Sequence, residues 1–130
     1  VDAWREALKE SRRGKMPYPF SLFADAEPPP RGERFDELLR SGNVVVRRIV
    51  SAAAGSVDAP GSEALAPELY VQEEDEWVLL ARGAATLEMD GERLDLRPGD
   101  HLFIPARTPH RVLATAAGTV WVAVHVFGQK

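Results

Sequence analysis

The stretch GAATLEMDGERLDLRPGDHLFIPARTPH, residues 83–110, contains three turn signals and no apolar run at helical spacing. Asp90–Gly91 separates ATLEM from ERLDL. Both central residues of a type I′ turn need positive φ, which Asp-Gly accepts, so this is a strong hairpin signal. Pro98–Gly99 suits a type II turn, with glycine at the position of positive φ. Thr108–Pro109 punctuates the chain again. Outward from this stretch the same rhythm continues, through Glu73–Asp75, Arg82–Gly83 and Gly118. Short segments divided by turns roughly every eight to twelve residues predict an all-β sandwich or barrel.

The chain changes texture near residue 43. From Asn43, NVVVRRIV is β-branched and strand-like, and a loose Ala/Gly/Ser/Pro connector follows through about Ala66. Before it, Trp4, Ala7 and Leu8 fall at helical spacing over residues 2–12, with Asp2 available as an N-cap. MPYPF and EPPP favour extended backbone, since proline restricts itself and its predecessor. ERFDELLR, residues 33–40, reads as a short helix stacking Phe35, Leu38 and Leu39 and stopping at Gly42. These readings predict a helical, proline-rich arm over 1–42 and a β-barrel domain over 43–130. Met16 would itself make a plausible start, so residues 1–15 read as an extension.

Composition narrows the function classes. A chain of 130 residues, 45% hydrophobic and 28% charged, is the size and texture of one globular domain. A net charge of −4 argues against a nucleic-acid partner, which normally needs a basic face. With no cysteine there is no disulfide, thiolate chemistry or cysteine-bound zinc. No apolar stretch approaches the roughly 20 residues that span a bilayer. VDAWREALKESRRGK lacks the apolar core of a signal peptide. The expectation is a soluble, cytoplasmic protein with no membrane partner. Phosphate loops, nucleophile elbows and zinc-protease helices are absent from the sequence.

Two stretches resemble the paired motifs of the cupin superfamily. Its first motif is G-x5-H-x-H-x(3,4)-E-x6-G; here Glu76 precedes Gly83 by the required spacing, and Tyr70 and Gln72 stand in the histidine positions. Its second is G-x5-P-x-G-x2-H-x3-N; Gly99, Pro105 and His110 match it, Arg107 replaces the second glycine, and Ala114 replaces the asparagine. EWVLL, the GD-x3-IPA-x-T-x-HRV string and the closing WVAVH look like those of small single-domain bacterial cupins with a Tyr-x-Gln pair. The resemblance implies a double-stranded β-helix, or jelly-roll, barrel over roughly residues 44–127. It further implies a divalent metal (Fe, Mn, Ni, Zn or Cu), a small organic ligand inside the barrel, and a homodimer. The metal set it implies is Gln72, Glu76 and His110, with Tyr70 or His125 as a fourth ligand.

Residue parity supports part of this placement. Glu76, Val78 and Leu80 share one face of a strand, and His110, Val112 and Ala114 share another. Glu73, Glu74 and Asp75 read as a solvated turn. His125 shares parity with Trp121 and Ala123, while the opposite face is all valine and is expected to be the drier one. Trp77 and Trp121 read as packing residues. His101 reads as structural or exposed, and Arg47, Arg48 and Arg111 as solvated rather than ligand-binding. Three readings stay open. One is a metal-dependent enzyme of dioxygenase, isomerase or lyase type. Another is a metal-free acid–base isomerase, lyase or cyclase using Glu76, His110 and Tyr70. The third is a non-catalytic binding or sensing cupin.

Overall fold

The computed structural model describes residues 19–55 and 68–128. Among them every regular element is a strand: β1 Glu33–Ser41, β2 Val44–Ser51, β3 Asp75–Arg82, β4 Ala85–Met89, β5 Glu92–Leu96, β6 His101–Ile104, β7 His110–Thr115 and β8 Thr119–Val126. They form two antiparallel sheets, β1-β2-β8-β3-β6 and β5-β4-β7. The all-β jelly-roll expectation is therefore met. The helix expected over residues 2–12 lies outside the described residues.

ERFDELLR is a correction. It forms β1, not a helix, and pairs with β2 from Glu33↔Ser51 to Ser41↔Val44. Gly42 does not stop a helix; with Asn43 it makes a two-residue hairpin loop, and its φ of +57° suits the first central position of a type II′ turn. A single short amphipathic helix gains little by itself, whereas pairing with β2 gives this edge strand interstrand hydrogen bonds along its length. The helical spacing misled because the register shifts between Glu37 and Leu39, so alternation breaks in mid-strand.

The β4–β5 hairpin turns at Asp90 and Gly91, whose φ values of +53° and +83° are those of the type I′ turn read from sequence. Gly83 has a different reason. At φ +100° it lies so close to β8 that a Cβ there would meet Thr119 Oγ1 at 2.3 Å. Only glycine lets the end of β3 approach the start of β8 this way.

Inward residues of both sheets fill the space between them. Ile49, Val78, Leu80, Trp121 and Ala123 from the large sheet meet Ala85, Leu87 and Leu96 from the small one. Leu80 is fully buried, which contributes about 1.5–3 kcal/mol. The outer face of the large sheet is covered in part by residues 22–26, where Leu22 and Ala26 pack on Val50 and Val120. Arg48 locks that cover. Its guanidinium donates to Asp36 Oδ2 at 2.8 and 3.0 Å and to the carbonyls of Leu22, Ala24 and Asp25. Arg48 is thus a buried structural residue rather than a solvated one.

Candidate functional site

At one end the apolar filling gives way to a cavity of about 180 Å³. Strand alternation puts Glu76 inward, since it continues the buried face of Val78 and Leu80 on β3. His125 is its direct partner across the β3–β8 ladder and also points inward. His110 opens β7 and reaches the same cavity from the opposite sheet. All three are buried, at 5–7% exposure. The valine face of β8 proves to be the outward, half-buried one apart from Val120, while Trp121, Ala123 and His125 lie inside. Trp121 takes the interior volume that valine was expected to fill.

The hydrogen bonds around the imidazoles define their tautomers. His110 Nδ1 lies 2.9 Å from the carbonyl oxygen of Thr108, an acceptor only, so Nδ1 carries the proton. His125 Nδ1 lies 3.1 Å from Glu74 Oε2, and donates to that carboxylate. In the neutral rings each Nε2 is then a bare acceptor. Both are turned to Glu76, His110 Nε2 at 3.9 Å from Oε1 and His125 Nε2 at 3.6 Å from Oε2. Gln72 donates its amide N–H to Glu76 Oε1 at 2.7 Å. With both rings neutral, three acceptors face one another, an arrangement suited to a cation.

Tyr70 closes one side. Its backbone exchanges hydrogen bonds with His110, at 2.7 and 3.0 Å, and its ring stacks on the imidazole at a centroid distance of 5.8 Å. Burial raises the Tyr70 pKa, and the negative charges of Glu68, Glu33 and Glu76 raise it further. Without a metal, Tyr70 is therefore held as a phenol, an O–H donor. Arg107 stands at a left-handed φ of +62°, which explains why the motif carries glycine there. Its N–H donates to Gln72 O at 2.7 Å and so holds the Tyr70–Gln72 segment over the site.

Several residues lie where sequence reasoning did not put them. Glu74 is not part of a solvated turn: it lines the cavity and holds His125. Asp75 belongs to β3, and its Oδ1 accepts from Ala106 N–H at 2.8 Å. Only Glu73 is exposed, where it pairs with Arg107 at 3.3 Å. Glu33 and Arg47 also line the cavity. Burial pushes the Glu33 carboxyl up; the Ser51 hydroxyl at 2.8 Å pulls it down by less, and Glu76 adds to the rise. Arg47 shares parity with Val45 and Ile49, the one available sign that it faces inward. His101 is exposed and sits against Trp77, away from the cavity. Arg111 makes an ion contact with Glu88 Oε1 at 3.0 Å, without hydrogen-bond geometry at its Nε.

The donor chemistry at Glu76, His110 and His125 fits a divalent transition metal, since two imidazole nitrogens and one carboxylate are a common ligand set. The spacing is looser than a formed site. Ligands at 2.0–2.1 Å in a tetrahedral site lie about 3.4 Å apart, against the 3.6 and 3.9 Å here. Among the described residues no three such side chains are gathered tightly enough to grip an ion as they stand.

Residues 57–126 match the family model described as a cupin domain. An uncharacterised protein of Methanocaldococcus jannaschii is 31% identical over 68 residues, 52% of this chain and 53% of that protein, so the match spans about half of the relative. A crystal structure from Ralstonia eutropha JMP134, of a candidate mannose-6-phosphate isomerase, is 34% identical with a TM-score of 0.70 and covers 86% of this chain and all of that one. An RmlC-like cupin from Shewanella frigidimarina shares the fold at 15% identity, with a TM-score of 0.64, over 89% of this chain and 95% of its own.

Proposed function

The chain belongs to the cupin domain family, and from that premise we propose that its cavity binds a divalent metal ion together with a small organic ligand. Glu76, His110 and His125 would hold the ion; Gln72 and Glu74 would orient Glu76 and His125 through the hydrogen bonds described above. The observation that carries this reading is the pair of committed Nδ1–H groups, which leave two imidazole lone pairs and a carboxylate facing one point. A bound ion would supply Lewis-acid polarisation of a ligand oxygen. The chain's own contribution is to bind and orient the ligand. Val78, Leu87, Val112 and Trp121 form water-excluding walls, and the Tyr70 phenol is the O–H donor beside His110. Isomerase or lyase chemistry is the class favoured, in keeping with the candidate isomerase among the similar structures. A cytoplasmic homodimer belongs to the same reading, with solution mass as the check on the dimer.

Metal analysis of the tag-free full chain after supplementation with Fe, Mn, Ni, Zn and Cu tests it. About one ion per chain is expected for a single centre of this kind, lost in Glu76→Ala and in His125→Ala. Glu74→Gln is expected to weaken affinity about 10–100-fold through the orientation of His125. No ion bound under any supplement overturns the proposal. A second reading is favoured by the Gln72–Glu76 hydrogen bond, which satisfies Glu76 without a metal. In that case the pocket is a non-catalytic binding site, and ligand binding survives chelation without turnover under any metal.

A further inference from the structure

The charged groups of the cavity are unequally provided for. Glu33 accepts from Ser51, Glu74 from His125 and Glu76 from Gln72. Arg47, on the same wall, has neither a hydrogen bond nor an ion pair among the described residues. Its neighbours in the sheet explain this. Across the ladders it sits beside Ala123, which has no side-chain acceptor, and Glu37, which pairs with Arg40 at 2.8 Å. Arg47 is half-buried as a residue, with its guanidinium nitrogens open to the cavity's solvent, and it keeps five donors in a fixed fork that matches carboxylate or phosphate oxygens.

We propose that Arg47 is the anion-binding residue of this cavity, and that the ligand is a small organic acid whose carboxylate or phosphate head lies on Arg47. Ile49, Val78, Leu87 and Val112 would pack its apolar body, with Phe35 and Tyr70 as aromatic flanks. The far end of the ligand then meets the centre at Glu76, His110 and His125. That end rests on the proposed function above; the anion contact rests on Arg47's own surroundings. A cavity of about 180 Å³ limits the ligand to on the order of ten non-hydrogen atoms.

The test is calorimetric titration of the full chain with matched pairs: benzoate against benzamide, hexanoate against hexanamide, and phenyl phosphate against phenol. At least one acid is expected to bind about tenfold or more tighter than its neutral partner, the size of a charge-assisted hydrogen bond. Arg47→Gln should abolish that preference and Arg47→Lys should keep part of it, with melting curves confirming that both variants fold. A carboxylate preference and a phosphate preference each assign the head group. Absence of any acid preference in the wild type, including absence of binding, overturns the proposal, as does a preference that survives in Arg47→Gln. Metal content is measured in parallel. Protein without metal that keeps the Arg47-dependent preference sinks only the metal reading, whereas metal-loaded protein without that preference sinks only this one.

Discussion

Arg47 and Arg48 are neighbours in sequence and opposites in structure. Strand alternation sends Arg48 to the outer face of the large sheet, where one carboxylate and three carbonyls accept its N–H groups. Phe20 lies against it as well, 5.7 Å from the guanidinium carbon to the ring centroid. Arg47 goes to the inner face and meets a methyl group and an engaged glutamate. The same contrast runs through the acids of β1. Asp36, outside, is pushed up by burial, but the hydrogen bonds and charges of Arg48 and Arg34 outweigh that and lower its pKa. Glu33, inside, has only a hydroxyl against its burial, and its pKa rises. The outer face completes the charges of Arg48 and Asp36, as stability requires, whereas the inner face leaves Arg47 without a partner among the described residues, as a ligand site requires.

The sharpest way to break this comparison is to replace Arg48. Arg48→Met removes the buried partner of Asp36, leaving it Arg34 alone, and takes the donor from three carbonyls; it should cost about 3–5 kcal/mol, read from the urea midpoint. Asp36→Asn should cost about 1.5–3 kcal/mol at neutral pH. Because the folded pKa of Asp36 is lowered, its contribution is present above the usual carboxylate range and lost as pH falls through that lowered value. The deficit of Asp36→Asn should therefore fade in acid, and a pH-independent deficit would contradict the assignment. Glu33 carries the opposite sign. With its folded pKa raised, its relative stability is full at low pH and lost as pH rises through the raised value. Glu33→Gln should then raise the melting temperature by about 1–3 °C at pH 8 and leave it unchanged at pH 4. Arg47→Gln should change stability by no more than about 0.5 kcal/mol. A loss comparable to that of Arg48→Met would show that Arg47 is structural after all.

Much of this architecture was legible because turns announce themselves. Asp90–Gly91, Pro98–Gly99 and the E-x6-G spacing to Gly83 place β3, β4, β5 and β6, and strand parity then turns Glu76 and His110 inward. What could not be read were relations between distant strands. Glu74 reads from sequence as one of three acids in a wet turn, because nothing local reveals that His125 waits across the ladder. Glu33 and Arg47 were lost together: reading 33–40 as a helix removed β1, and without β1 the cavity has no wall there. The Gly42–Asn43 pair was the available clue, a two-residue hairpin signal that the helical spacing of Phe35, Leu38 and Leu39 outweighed.

Ser51 accepts from the Trp121 indole N–H at 3.0 Å and donates to Glu33 at 2.8 Å. That short chain couples a fluorophore on the cavity wall to the ionisation of a cavity acid. Of the three tryptophans, Trp121 is the one that lines the cavity, and its emission is expected to change with what enters the barrel, a response that Trp121→Phe should remove.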